Sequence, residues 1–312
     1  MSWKVKVYTS MPTWVKTGIT DVYMALRKFR EARVARFGVR PPQGEPPRVV
    51  YLTGFPRSGT TMLKYYFGTH EGLKQTPFDP AGFFRSWDAA GSPENEDVLL
   101  VDKSNHYLYA LENLFAAYGD AVRVCVIIRD PRDCLVSCTR YRENREVPRD
   151  VSFWSYWYRL QSDLDGFIAR TPLRDCLWVL RYEDLVRFPE HCKTAYLQWL
   201  GFDVEEEDID RRYTDQHPGD GWSDSVHDYR EVNDMALQKW TKTPDLPDWA
   251  SSILQSWQED PGVTALMRSY GYTIDGFEDL KDGPRDDRLY VPFQSRVSGE
   301  REDTRKIPRS LG

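Results

Sequence analysis

The chain has 312 residues, 40% hydrophobic and 14% aromatic, with a formal net charge of −6 and a pI near 5.5. That is enough apolar material for one large α/β domain or two small ones. The acidic balance argues against a nucleic-acid partner and disfavours a strongly polyanionic acceptor, although a local basic cleft is compatible with it.

Other features narrow the class further. No apolar run of 18 or more residues is present, so no transmembrane helix is expected, and the N-terminal residues show no signal-peptide core. The five cysteines are odd in number and lack Cys-x-x-Cys spacing, which reads as reduced, structural and cytoplasmic. No His-Glu-x-x-His motif or Cys/His cluster suggests a metal.

In chain order, the first 18 residues carry no clear pattern. From Thr20-Asp21, a plausible N-cap, Val22, Leu26 and Phe29 predict an amphipathic basic helix ending near Gly38. Its narrow apolar face suits a solvated helix packed on the domain better than a membrane-surface segment. Pro41 to Pro47 is a stiff connector. Val49-Val50-Tyr51-Leu52 predicts a buried strand, and Met62, Leu63, Tyr66 and Phe67 recur at helical spacing. Between them lies Thr53-Gly54-Phe55-Pro56-Arg57-Ser58-Gly59-Thr60-Thr61.

Strand, Gly-rich turn and helix together aim backbone N–H groups at an anion. The Gly54-x4-Gly59 spacing is that of a nucleotide P-loop, but Thr60 stands where the Lys that reaches β/γ-phosphates would be. Arg57 is the one cation within the turn. The plainer reading is a Gly/Pro turn joining a core strand to a core helix.

Leu73 to Phe78 predicts a second strand, and Asp79-Pro80 a turn. Val98 to Val101 is a buried strand leading to Asp102-Lys103-Ser104-Asn105-His106, and Leu108, Leu111, Leu114 and Phe115 give a helix to Gly119. Val122 to Ile128 is a continuous apolar strand, followed by Arg129-Asp130-Pro131-Arg132-Asp133 at a helix start. Ser137 lies eight residues beyond Arg129, about two helical turns on.

An aromatic helix spans Phe153 to Ile168, and Leu177 to Leu180 is a further strand running into Arg181-Tyr182-Glu183-Asp184. Pro189 to Leu200 is helical, with Gly201 as its C-terminal cap. Glu205 to Asp210 reads as acidic and exposed, and the surroundings of Gly219 to Gly221 as a polar loop. Trp249 to Trp257 and Val263 to Tyr270 are helices, the second closed by Gly271, and from Lys281 the chain reads as a polar tail.

Strands alternating with helices predict an α/β fold with a mainly parallel sheet, whose ligands gather at the strands' carboxyl ends. Arg57, Lys103 and Arg129 each follow such an end and are expected to converge.

Three stretches in order resemble the sulfotransferases that use 3′-phosphoadenosine 5′-phosphosulfate (PAPS). TGFPRSGTT at 53–61 is similar to their 5′-phosphosulfate loop. RVCVIIRDPRDCLVS at 123–137 is similar to the segment whose Arg and Ser hold the 3′-phosphate, and LRYEDLVRFPE at 180–190 to the one whose Tyr packs near adenosine. The likeness covers roughly 48–202 and, more weakly, the helices to 272.

It implies a P-loop NTPase-like sulfotransferase fold over 48–280, after a helical extension at 1–47 and before the tail at 281–312. It also implies transfer of a sulfuryl group from PAPS to an acceptor hydroxyl, without a metal. Arg57, Ser58, Gly59, Thr60, Thr61, Arg129, Ser137 and Tyr182 would bind the donor, and Lys103 would serve at the bridging oxygen.

The general base stays open between Asp79 and His106, because Asn105 occupies the position where the cytosolic branch has its His. The Gly-rich C-terminal signature of that branch is replaced by Gln238-Lys239-Trp240-Thr241-Lys242. Simpler roles are ion pairs for Arg129 with Asp130 or Asp133 and for Lys103 with Asp102, a helix-surface site for Ser137, and helix capping for Asp79. Trp87, Trp154, Trp157 and Trp222 are candidates to line a pocket for a small-molecule, sugar or lipid acceptor, although large aromatics are more often core. The alternatives are a P-loop kinase-like phosphotransferase and a nucleotide-binding protein without catalysis.

Overall fold

A computed structural model describes residue 22 and residues 49–75, 99–103, 108, 111–140, 151–210, 237–243, 245–273 and 276–277. Asp79, His106, Trp87, Trp222, the polar loop at 219–221, the tail from 281, the Pro-rich connector and all but Val22 of the N-terminal helix lie outside them, as does the side chain of Trp154.

The sheet is built from β1 (Val49–Gly54), β2 (Leu73–Gln75), β3 (Leu99–Lys103), β4 (Val122–Ile128) and β5 (Leu177–Arg181). Its order is β2-β3-β1-β4-β5, and every neighbouring pair is parallel. The α/β expectation of a mainly parallel sheet flanked by helices therefore holds. β1 and β5 are buried along their whole length, which is why Val49–Leu52 and Leu177–Leu180 read as apolar runs.

Alternate residues of one strand supply opposite cores. Val49, Tyr51, Val124 and Val126 face one, packed with helices α2 (Leu111–Tyr118) and α4 (Val151–Arg170). Val50, Leu52, Cys125 and Ile127 face the other, against α1 (Thr60–Phe67) and α6 (Pro189–Leu200). Each fully buried side chain of this kind contributes about 1.5–3 kcal/mol. Trp157 is fully buried in the first core, 5.9 Å from Trp257 between ring centroids, so it packs as core and not as a pocket wall.

The helix ends follow their sequence signals. α3 (Pro131–Arg140) has Pro131 at its first position, and the Asp130 carboxylate accepts the Arg132 backbone N–H at 2.9 Å. α6 ends at Gly201, whose φ of 89° lets its N–H and that of Phe202 close the last turn. α9 (Asp248–Glu259) and α10 (Pro261–Ser269) follow, the latter capped by Asp260. The chain then forms a two-stranded antiparallel sheet of β6 (Tyr272–Thr273) and β7 (Gly276–Phe277).

The reading of residues 205–210 as exposed and acidic holds for Glu205, Glu206 and Glu207 but needs correction at Asp208. Glu206–Asp210 is a short helix, α7, and Asp208 is buried. The Asp208 carboxylate accepts the Glu205 N–H and stands 3.6 Å from His70 Nε2. Lys193, with no exposed surface, donates from Nζ to the Ile209 carbonyl at 3.2 Å. Buried partners on neighbouring elements hold Asp208, an acid that composition alone would leave in solvent.

One smaller difference concerns an element end: Lys103 is the last residue of β3 and does not follow it.

Candidate functional site

In this strand order the chain leaves β1 toward β2 and β3, but leaves β4 toward β5. The switch falls between β1 and β4, whose carboxyl ends therefore open a crevice. The loops entering it are 55–59 and 129–130.

The first loop is sharply formed. Ser58 N–H donates to the Phe55 carbonyl at 3.0 Å, and Arg57 and Gly59 both occupy left-handed backbone, at φ 72° and 102°. Arg57 holds this conformation without glycine's freedom, a local strain that concentrates at functional sites. A Cβ at Gly59 would stand 2.5 Å from the Tyr182 ring, and one at Gly54 would stand 2.4 Å from the Ile127 carbonyl. Both glycines are thus required by close approach of neighbouring elements. After Gly59, α1 begins, and the first N–H groups of a helix have no acceptor within it. Beside them the buried hydroxyls of Ser58 and Thr53 have no hydrogen-bond partner among the described residues.

The second loop meets the first directly. Arg57 Nε donates to Ser137 Oγ at 3.1 Å, joining residues 80 apart in sequence, and Arg129 Nη1 donates to the Arg57 carbonyl at 3.1 Å. The Arg129 guanidinium lies 4.1 Å from the centre of the Tyr182 ring. Arg129 is only 5% exposed. Burial pulls its pKa down, but Tyr182, Cys134, Asp133 and Glu183 together push it up, so it stays cationic.

Arg57, Ser58, Gly59, Arg129, Ser137 and Tyr182 are therefore assembled at one place, with Thr60 and Thr61 opening α1 beside them. Lys103 stands level with Leu52 of β1 on the neighbouring strand, at the same end of the sheet as the loop. Of the two candidate bases the structure describes neither.

A charged layer behind these residues was not anticipated as part of the site. Asp133 stands 3.9 Å from Arg129, so one of the simpler ion pairs exists. Asp130 instead pairs with Arg132, at 2.7 Å. Asp133 also accepts the Trp240 backbone N–H at 3.2 Å, and Arg132 lies 4.0 Å over the Trp240 ring, which docks α8 (Lys239–Lys242) onto the start of α3. Burial pushes the Asp133 carboxyl up to about 6, against the lowering effect of Arg129.

On β5, Arg181 donates from Nε to Asp184 at 2.6 Å and from Nη1 to the Tyr270 carbonyl at 3.1 Å. Glu183 belongs to α5 (Tyr182–Arg187), and burial pushes it up to about 7. The alternation of signs in Arg-Asp-Pro-Arg-Asp and Arg-Tyr-Glu-Asp, each directly after an apolar strand, was the available signal.

The whole arrangement can hold a dianion at Arg129 and Ser137 and a second anion at the loop and helix start, joined through Arg57. Among the described residues no group of His, Cys, Asp and Glu is arranged to hold a metal ion, and no helix is long and apolar enough to cross a membrane.

Residues 75–206 match the model of the sulfotransferase family. The matched stretch includes Lys103, Arg129, Ser137 and Tyr182, while the loop at 53–61 precedes it. No curated protein matches the chain.

Among solved structures, the chain is similar to a sulfotransferase domain from the curacin biosynthetic pathway, at 19% identity and a TM-score of 0.49, covering 69% of this chain and 99% of that one. A sulfotransferase domain from the Synechococcus PCC 7002 olefin synthase gives 19% identity and 0.47, covering 71% and 98%. The mouse sulfotransferase SULT7A1, complexed with PAP, gives 13% and 0.47, covering 70% and 88%. These likenesses are too distant to bear on the chemistry, which rests on the residues above.

Proposed function

We propose that the protein is a PAPS-dependent sulfotransferase, moving a sulfuryl group to an acceptor hydroxyl and releasing adenosine 3′,5′-bisphosphate. The observation that carries this reading is the Arg57–Ser137–Arg129 junction, which ties an anion loop to a second cationic site at the switch point of the sheet. A donor with phosphate groups at both ends of its nucleoside matches two joined anion sites, and the family match over 75–206 supports the same class.

Arg129 and Ser137 hold the 3′-phosphate, the first as a charge-assisted fork and the second by its hydroxyl. Tyr182 lies against the adenosine. Ser58, Thr60, Thr61, the N–H groups after Gly59 and Arg57 receive the 5′-phosphosulfate. The buried hydroxyls of Ser58 and Thr53, without a hydrogen-bond partner among the described residues, fit an anionic ligand there. The donor supplies the sulfuryl group. Its bond to the bridging oxygen breaks as a bond to the acceptor oxygen forms, and the acceptor proton passes to a base, Asp79 or His106.

Arg57 and Lys103 stabilise the charge that grows on the leaving phosphate, as cations do in phosphoryl transfer. The acceptor is a hydroxyl compound, small molecule, sugar or lipid. Five buried free cysteines are in keeping with a reducing, cytoplasmic setting.

The test is Arg129→Ala. It should weaken adenosine 3′,5′-bisphosphate by about 1.5–3 kcal/mol, the range for hydrogen bonds to charged groups, and change adenosine 5′-phosphosulfate little. Equal losses for both ligands, measured calorimetrically, would remove Arg129 from the 3′-phosphate.

A further inference from the structure

Two buried groups behind the site take no part in the chemistry above. Glu183 has no exposed surface. Its Oε1 accepts the backbone N–H of Asp130 at 2.9 Å, and its Oε2 accepts the Tyr272 O–H at 2.9 Å. Tyr272 is 1% exposed and belongs to β6, beyond the stretch that matches the family model. One carboxylate thus bridges the turn after β4 and the C-terminal sheet.

The turn needs such an acceptor. The β4–β5 ladder ends at Ile128 and Arg181, so the Asp130 N–H lies past the last strand pairing. It also precedes the first turn of α3, where no helical carbonyl reaches it. An orphaned buried N–H is costly, and Glu183 satisfies it.

The consequence reaches Arg129. Its guanidinium lies over the ring of Tyr182, and the peptide after it is fixed by Glu183, the next residue along. One turn of α5 therefore holds Arg129 by its head and by its backbone. Around Glu183 stand Tyr272 from β6, Arg181 from β5 and Asp130 from the turn, and Arg181 is itself tied to the Tyr270 carbonyl.

We propose that Glu183 and Tyr272 are positioning residues for Arg129. Tyr272 orients the Glu183 carboxylate, and Glu183 fixes the Arg129–Asp130 peptide so that the guanidinium faces a 3′-phosphate. The inference rests on the reading of Arg129 given under Proposed function.

The experiment compares Arg129→Ala, Glu183→Ala, Glu183→Gln and Tyr272→Phe in the full chain. Affinities for adenosine 3′,5′-bisphosphate and for adenosine 5′-phosphosulfate are measured by calorimetry. Glu183→Ala should lose about tenfold or more on the bisphosphate, the effect of orphaning one buried donor, and less than about twofold on the phosphosulfate.

Glu183→Gln keeps an acceptor for the Asp130 N–H, and its amide can donate to the Tyr272 oxygen, so it should stay within about threefold of wild type. Tyr272→Phe should lose about three- to tenfold with the same selectivity. It carries the test alone if Glu183→Ala does not fold. If Arg129→Ala discriminates between the ligands while Tyr272→Phe and Glu183→Ala weaken both equally or neither, the positioning role is overturned. If Arg129→Ala itself fails to discriminate, the reading of the site falls, and this inference with it.

Discussion

On the proposed reading, Arg57 from the loop after β1 and Lys103 from the end of β3 act on the leaving phosphate, and their predicted effect is on rate. That charge develops only in the transition state, so each should matter more to turnover than to bisphosphate affinity. Losing one such donor typically lowers the rate by about 10²–10³. Steady-state kinetics and calorimetry on Lys103→Ala check this, and near-normal turnover would mean that the catalytic cation lies elsewhere. Arg57→Ala should show the same split with an added loss in binding, because its guanidinium also donates to Ser137, while the backbone carbonyl that accepts from Arg129 stays in place.

Arg57 and Arg129 were legible in the sequence because each follows the carboxyl end of an apolar strand, and Ser137 because it lies eight residues beyond Arg129 in the helix that follows. Glu183 and Asp133 were not. Their importance depends on β4 and β5 being neighbours and on α8 returning to α3, which periodicity along the chain cannot reveal.

Among the elements, the contact of α8 with α3 sets two effects against each other in Asp133. Burial raises its carboxyl, while Arg129 at 3.9 Å and the N–H groups of Lys239 and Trp240 lower it. Desolvation wins, and the folded value of about 6 lies above the ordinary 3.8. An acid raised on folding binds more protons in the folded state between those two values. Its contribution to stability is therefore greatest at low pH and is lost as pH rises from about 4 through 6.

Wild type should lose up to about 3 kcal/mol relative to Asp133→Asn across that window, and nothing further above pH 7. Urea unfolding of both proteins at a series of pH values measures this. A relative stability that climbs with pH would mean that Arg129 outweighs burial. At this scale the sequence was most readable in β4 and α6, whose bounds follow from an apolar run broken only by Arg123 and from Pro189 and Gly201. It was least readable in α7, where Lys193 and His70 stand on distant elements.

Across the molecule, the sheet order turns scattered motifs into a site. β1 and β4 are neighbours only because the chain crosses over β1 after β3, and that crossing brings residue 57 against residues 129 and 137. The class of fold was evident from strands alternating with helices, whereas the order of the strands was not. A kinase-like reading would use the same loop for a nucleoside triphosphate with Mg²⁺, but Thr60 stands in place of the lysine that reaches its terminal phosphates.

The two readings part most cleanly in thermal unfolding with adenosine 3′,5′-bisphosphate or with ATP and Mg²⁺. A ligand at one hundred times its Kd stabilises the folded state by about 2.7 kcal/mol, a rise of roughly 5 °C in Tm for a domain of this size. The bisphosphate should produce that rise and ATP with Mg²⁺ little or none. A rise with ATP and Mg²⁺ but none with the bisphosphate would contradict the sulfotransferase reading.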